Sequence, residues 1–322
     1  MKEIKVTKND SGQRIDRFLS KSFPLGQGQI CKLARKNCIK LNGKKCKPDT
    51  HIAENDIIKL FIPDEMLIPK SKTDLDDFTA VSDKIDIVYE DENILLVDKP
   101  VGMVVHEDES GDSDTLINRI KSYLYHKGEY RPENELSFAP ALCNRIDRNT
   151  CGIVIAAKNA ESLRILNQKI RDRELTKLYL CIACGKVTPD SATLTAYLEK
   201  NSDTNTVKIS DKKTKSNLTI KTKYKVIAYN GENSLLKVDL LTGRTHQIRA
   251  HLAYIGHALL GDGKYGNNKL NKKYGFKYQA LCSYELQFKF TTDAGCLSYL
   301  DGKCFKAKAP DFVKMFGSNI KL

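Results

Sequence analysis

The segment Cys143-Asn144-Arg145-Ile146-Asp147-Arg148-Asn149-Thr150-Cys151-Gly152 holds one carboxylate, Asp147, between two arginines, and leads into the apolar run Ile153-Val154-Ile155-Ala156-Ala157. Guanidinium groups on both sides of an acid favour its charged form. A charged carboxylate there suits a nucleophile or a base, and the neighbouring arginines suit a substrate that carries phosphate. The plainer reading of the same spacing is a surface strand-turn-strand corner with a salt bridge.

Two further segments gather chemistry-bearing side chains. In Leu241-Thr242-Gly243-Arg244-Thr245-His246-Gln247-Ile248-Arg249-Ala250-His251, Gly243 predicts a sharp turn and Thr245 the N-cap of a helix with Ile248, Leu252 and Ile255 on its buried face. Arg244, His246, Gln247 and Arg249 then group at the helix N-terminus, where the dipole also favours anions. His251 reads as structural. In Thr176-Lys177-Leu178-Tyr179-Leu180, strand alternation puts Lys177 and Tyr179 on one face. Taken alone, a strand tyrosine there reads as core packing.

These segments need elements to hold them. Strands are predicted at 85–90 and 93–98, the second running into the turn Lys99-Pro100-Val101-Gly102, with Lys99 left at the strand end. Amphipathic helices are predicted at 115–125 and 159–173. From 177 to 290 the pattern is mostly strands, broken by a helix at about 245–256. The predicted class is α+β: a mixed, mainly antiparallel sheet with flanking helices, not a doubly wound sheet.

Ahead of this, residues 12–62 read as a small αβ module. Helical spacing at 14–19 and 29–36 is followed by the strand Cys38–Leu41, the tight-turn signal Asn42-Gly43 and a strand at 56–61. Lys32, Arg35 and Lys36 fall around the polar side of the second helix. Residues 63–83, with Pro63, Pro69 and the acidic cluster Asp74-Leu75-Asp76-Asp77, read as a linker.

The three chemical segments together resemble the RluA-type pseudouridine synthases. Arg145, Asp147, Thr150 and Gly152 match the H-R-L-D-x-x-T-S-G motif outright, while Asn144, Ile146 and Cys151 stand for its His, Leu and Ser. Thr242 to His251 matches the T-G-R-T-H-Q-I-R-x-H signature, and Lys177-Leu178-Tyr179 a K-x-Y position. Lys99 to His106 matches K-P-x-G-x-x-V-H, and Gly261 to Gly266 matches G-D-x-x-Y-G, which also reads adequately as a turn without chemistry. The N-terminal module resembles an S4 RNA-binding domain, giving an organisation of S4-like domain 1–62, linker 63–83 and catalytic domain 84–322.

The resemblance implies isomerisation of uridine to pseudouridine within RNA, with Asp147 as the catalytic carboxylate, Tyr179 stacking on the uracil and serving proton transfer, and Arg249 pairing with the carboxylate. Arg244 is the other candidate for that pairing. Arg145 is the candidate wedge that replaces a flipped base. RNA contacts are expected from Arg145, Arg148, Arg244, His246, Lys99, Lys32, Arg35 and Lys36. Large-subunit ribosomal RNA is the expected target and tRNA the other candidate. No metal or other cofactor is expected, because the chemistry is internal to the nucleotide. Two competing readings are a non-catalytic S4-type RNA-binding or assembly factor and an Asp-dependent glycosidase. The first needs no Asp147–Tyr179–Arg249 set, and the second usually needs a pair of carboxylates.

Composition sets outer limits. The chain has 322 residues, 41% hydrophobic, enough for two domains with a buried core. Its net charge is +13, and residues 1–62 hold 14 Lys and Arg against 6 Asp and Glu, an excess of eight. Such a field favours a polyanionic partner. No stretch approaches the roughly 20 apolar residues of a membrane span, and Met1 to Val6 lacks an apolar signal core. A cytoplasmic protein is expected. The ten cysteines are read as reduced thiols. Cys181-Ile182-Ala183-Cys184 is the only C-x-x-C and has no second pair to complete a zinc set.

Overall fold

The computed structural model describes residues 1–68, 78–107, 111–201, 206–317 and 320–322. Pro69 and the acidic cluster at 74–77 lie outside the described residues. The chain divides into two compact units: Met1–Lys84 with His106–Ala141 and Ala157–Arg164, and Ile85–Val105 with Leu142–Ala156 and Ile165–Leu322.

In the first unit, β1 (Lys2–Lys5), α1 (Ile15–Ser22), α2 (Gln27–Arg35), β2 (Ile39–Leu41), β3 (Lys44–Lys45) and β4 (Ile57–Leu60) follow in order. The four strands form a sheet in the order β1-β4-β2-β3, every pairing antiparallel. Asn42 and Gly43, at φ 49° and 77°, make the tight turn between β2 and β3; both take the left-handed conformation such hairpin turns demand. Strand β1 was not among the sequence-based expectations. Ile15, Phe18, Leu19 and Ile30 close over Ile39, Ile58 and Leu60 in one core, which also takes in Leu67 and packs Leu136 at its edge. The fully buried Asp10 accepts hydrogen bonds from the hydroxyls of Thr7 at 2.8 Å and Ser137 at 2.6 Å. The module at 1–62 is thus packed and hydrogen-bonded to residues 135–137 of the same unit. In α3 (Leu116–His126), Thr115 is the N-cap, accepting from the Asn118 N–H. Helix α4 (Ala160–Arg171) completes the pair expected on either side of the Asp147 segment.

The second unit is built on a sheet of eleven strands: β5 (Ile87–Glu90), β6 (Ile94–Lys99), β7 (Ala141–Leu142), β8 (Cys151–Ala157), β9 (Leu175–Cys184), β10 (Ser191–Asn201), β11 (Thr206–Ser210), β12 (Leu218–Tyr229), β13 (Asn233–Asp239), β14 (Leu281–Phe288) and β15 (Cys304–Lys306). The order is β11-β10-β12-β13-β9-β14-β8-β6-β5, with β15 on β14 and β7 on β8. Pairing is antiparallel from β11 through to β14, and β14 with β8 is parallel. The mainly antiparallel α+β class is what the structure shows. Helix α5 (Gln247–Tyr254) covers the face of β12 that buries Ile220, Thr222 and Tyr224. Its Gln247 and His251 both reach the Thr222 hydroxyl, at 3.1 and 2.9 Å. Burial pulls the His251 imidazole down to about 4, so it serves as a neutral bracing group, as the sequence suggested. A short helix, α6 (Asn268–Lys273), had not been anticipated from the sequence.

Candidate active site

Asp147 lies on a turn between β7 and β8. Its carbonyl accepts from the Thr150 N–H at 3.0 Å, and the side chain stays 28% exposed. The turn is pinned from three sides. Gln279 donates to the Thr150 hydroxyl at 3.2 Å, and Gly102 N–H donates to the Arg148 carbonyl at 3.0 Å. The ammonium of the fully buried Lys99 donates to the carbonyls of Pro100, Met103 and Arg148 at 2.8, 2.8 and 2.9 Å. Burial lowers the Lys99 amine to about 8, so at neutral pH it remains an ammonium with all three N–H bonds satisfied. This corrects the expectation that Lys99 contacts RNA: it holds the Asp147 turn from beneath.

Gly152 shows why glycine follows the turn. At φ 107° a Cβ there would sit 2.2 Å from the Ser283 carbonyl oxygen. Only glycine lets β8 approach β14 this closely.

The carboxylate meets its partner from α5. Arg249 donates through Nη1 to Asp147 Oδ2 at 2.7 Å, and through Nε and Nη2 to both oxygens of Asp262, at 2.7 and 2.9 Å. Asp262 is fully buried and also accepts from the backbone N–H groups of Lys264 at 2.9 Å and Tyr265 at 3.1 Å. Burial disfavours both charges, but the mutual hydrogen bonds outweigh it, so Arg249 is raised and Asp262 is lowered. The fork is therefore oriented by Asp262, which leaves one N–H aimed at Asp147. The flanking arginines do not do this. Arg145 is exposed, and the Arg148 guanidinium donates to the Gly102 carbonyl at 3.1 Å.

His246 Nε2 stands 3.8 Å from Asp147 Oδ2. Burial, followed by the Arg249 charge, lowers the imidazole below its ordinary value against the pull of Asp147, so it is neutral at neutral pH. The Tyr265 hydroxyl accepts from Val207 N–H at 2.8 Å and lies 3.0 Å from His246 Nδ1. His246 Nδ1 and the Tyr265 hydroxyl thus share one hydrogen bond, whose donor is set by the imidazole tautomer. Sequence reasoning grouped His246 with the RNA contacts; the structure buries it beside the carboxylate. It also moves the helix cap. His246, at φ 52°, takes the left-handed position at the start of α5 in place of Thr245, and the Gln247 side chain accepts the Arg244 N–H at 3.2 Å.

Tyr179 is 6% exposed on β9, opposite Val238 and Ser283. Burial pushes its phenol up to about 12, with the charge of Asp147 adding to the shift. It is a protonated hydroxyl within electrostatic reach of the carboxylate. Lys177, on the same face, lines a small recess with Asn144, Ile153, Ile155, Ser283 and Leu286, and burial lowers its amine to about 8.

Asp147, Arg249, His246 and Tyr179 are thus brought together. Arg244 is exposed and takes no part in the carboxylate pair, so the choice between Arg244 and Arg249 falls to Arg249. Asp262 and Tyr265 were missed as functional positions. Their only signal was the Gly261–Gly266 segment, which had been read as a plain turn. In the first unit Lys32, Arg35 and Lys36 are exposed on α2. Cys181 and Cys184 are free thiols on β9.

A carboxylate held by an oriented arginine, with a protonated phenol close by on an antiparallel sheet, offers one group that can accept a proton and one that can donate it. The family described as RNA pseudouridylate synthase matches residues 93–254, half of the chain and all of the carboxylate–arginine–tyrosine set. An uncharacterized RNA pseudouridine synthase of Mycoplasma genitalium is 36% identical over 88% of both chains. A ribosomal large subunit pseudouridine synthase D of Borreliella burgdorferi is 31% identical over 81% of this chain and 78% of its own. Among solved structures, human RNA pseudouridylate synthase domain containing 1 superposes with a TM-score of 0.55 at 21% identity, covering 71% of this chain and 84% of that one, which supports the fold. The chain belongs to the RNA pseudouridine synthase family. It is an isomerase that acts on RNA.

Proposed function

We propose that the protein converts specific uridines in structured RNA, foremost large-subunit ribosomal RNA, to pseudouridine, with Asp147 as the catalytic carboxylate. The reading is carried by one observation: Asp147 alone among the site's acids stays partly open to solvent while Arg249, locked on Asp262, is aimed at it. The named activity of the Borreliella relative on the large ribosomal subunit supports the target class; tRNA is the alternative that the test distinguishes.

The reaction breaks the C1′–N1 bond, turns the uracil while it is held, and joins C5 to C1′. Asp147 supplies the electron pair, either by attack on the nucleotide or by taking a proton. Arg249 holds that carboxylate in place through its Nη1 hydrogen bond. Tyr179 lies under the base, and its phenol, high above neutral, donates or relays a proton rather than acting as a phenolate. A target within a helix must first be extruded, and the exposed Arg145 beside the site is the candidate to fill the gap. Arg148 and Arg244, both exposed, supply phosphate contacts at the rim.

Residues 1–62 are proposed as an S4-type RNA-binding domain, joined through 63–83 to a catalytic domain at 84–322. Exposed Lys32, Arg35 and Lys36 on one short helix support this, as does the charge excess of that region. A cytoplasmic location is proposed with the ribosomal target. Among the described residues no helix is long and apolar enough to cross a membrane.

Tritium release from 5-tritiated uridine in ribosomal RNA and in tRNA tests the proposal. Release from ribosomal RNA by the native enzyme, and none by Asp147→Asn, is expected. An Asp147→Asn enzyme within tenfold of native would overturn the catalytic assignment, and release from tRNA alone would overturn the target.

A further inference from the structure

On β12 the side chains of Lys221, Lys223 and Lys225 are exposed and alternate with the buried Ile220, Thr222 and Tyr224, so they occupy the sheet face opposite α5. Strand geometry spaces them about 7 Å apart, in a row about 14 Å long. Their register partners on β10 are Thr195, Thr193 and Ser191, all exposed. On β13 the partners of Lys223 and Lys225 are Asp239 and Lys237, and the Lys237 ammonium is already held by Glu285 at 2.8 Å. Glu199, farther along β10, faces Lys208 and accepts from the Ser216 hydroxyl at 2.6 Å. Among the described residues Lys221 and Lys225 face no acid across the sheet, while Lys223 lies within charge reach of the half-buried Asp239.

Three ammonium groups repeated on one strand face repel one another, and sheets commonly relieve this with opposite charges across the strand. Here hydroxyls stand opposite on β10, and on β13 Asp239 faces Lys223 alone, leaving Lys221 and Lys225 without an acid across the strand. Two parallel rows, ammonium beside hydroxyl, offer hydrogen-bond donors and positive charge, which is complementary to a row of phosphate oxygens. The backbone of the row is tied to the loop that leads into α5, while its lysine side chains point off the other face of the sheet. The Lys221 N–H donates to the Thr242 hydroxyl at 2.8 Å and its carbonyl accepts from Gln247 at 3.1 Å. It therefore runs outward from the loop that carries the exposed Arg244.

We infer that this lysine–hydroxyl row is a second RNA contact, gripping the phosphodiester backbone of a paired segment outside the nucleotides that enter the site. The inference rests on the reading of the enzyme as acting on structured RNA. Such a contact reads charge and shape, not sequence, so it adds affinity for RNA that continues past the target.

A duplex of G·C pairs only, without uridine, isolates backbone binding from the chemistry. Its affinity is titrated over roughly 50 to 200 mM salt for the native enzyme, for K221Q/K223Q/K225Q, and for K269Q/K272Q/K277Q. The last removes the same charge from other exposed lysines. Each lost lysine–phosphate contact should flatten the slope of log affinity against log salt by about 0.9, so the row variant should lose about two to three and bind at least tenfold more weakly at low salt. The control should lose less than about one. Equal slopes for the two variants, or no duplex binding by the native enzyme, would overturn the inference. Turnover of a short uridine hairpin by the row variant should stay near native. Duplex binding through the row by a native protein that modifies no RNA would uphold the row and sink the functional reading.

Discussion

Arg249 touches two carboxylates, and the two ends of that contact are built for opposite purposes. At one end Asp262 is fully buried and fully satisfied, taking two bonds from the guanidinium and two from backbone N–H groups. At the other, Asp147 receives one bond and keeps more than a quarter of its side chain in solvent. An acid buried under four hydrogen bonds is closed to a substrate. The same arginine thus serves as a strut toward Asp262 and as a charge partner toward Asp147, and the difference in burial separates structure from chemistry.

Exchanging the carboxylates for amides should break this contrast in opposite directions. Asp147→Asn is expected to lower turnover by at least about three decades, in the range lost with an essential acid–base group, while the melting temperature stays near native. A variant that melts markedly earlier would show Asp147 to be a structural acid like Asp262. Tyr179→Phe comes next, with a loss of roughly two to four decades at retained stability. Because burial holds this phenol at about 12, native turnover should show no alkaline break from it below about pH 10, well short of that value. A break near 10 that disappears in Tyr179→Phe would place the phenol in water.

Asp262→Asn removes the buried counter-charge and leaves Arg249 only the partly exposed Asp147, and breaking a buried pair typically costs about 3–5 kcal/mol. Unfolding in denaturant should show that loss, and turnover should fall with it as the arginine loses its aim. Unchanged stability would mean the strut is dispensable. Lys99→Met, which strands three carbonyls beneath the Asp147 turn, should cost a smaller 1–3 kcal/mol or so. The window in which Lys99 makes stability pH-dependent follows from its lowered amine. Between about 8 and its unfolded value near 10.5 the unfolded chain binds more protons, so native stability rises with pH there. Lys99→Met should remove that rise, and a rise that persists would assign it to another group.

The smallest effect belongs to the exposed α2 residues. K32Q/R35Q/K36Q should leave folding and hairpin turnover near native but weaken RNA affinity and its salt dependence. These point changes are cleaner than removing residues 1–64, since Leu67 and Leu136 pack against that core and would be exposed by the deletion.

Much of this was legible before any fold was known. The helices at 115–125 and 159–173, the hairpin turn at Asn42-Gly43 and the strand-rich region after 177 announce themselves because period and turn chemistry are local properties. The Asp147 and Tyr179 segments were legible only as matches to a family's motifs, since locally one reads as a salt-bridged corner and the other as core packing. Lys99 and Asp262 were misjudged because exposure and partnership are long-range. A lysine at a strand end reads as a free charge until the chain brings the Met103 and Arg148 carbonyls to its amine. An aspartate in a glycine-rich turn reads as turn chemistry until a helix thirteen residues upstream points an arginine at it.

The residue types, their spacing and the alternation of their neighbours marked out from the sequence alone a mainly antiparallel α+β chain with a basic excess, and motif resemblance singled out Asp147 and Tyr179. Which arginine meets which acid was decided only in three dimensions. Of the two guanidinium groups flanking Asp147 in sequence, Arg148 turns to the Gly102 carbonyl and Arg145 stays exposed, and the partner arrives from 102 residues away. Covalent neighbours on a turn point apart, whereas a helix packed on a sheet can deliver a side chain along a fixed vector, and a buried counter-charge can hold it there.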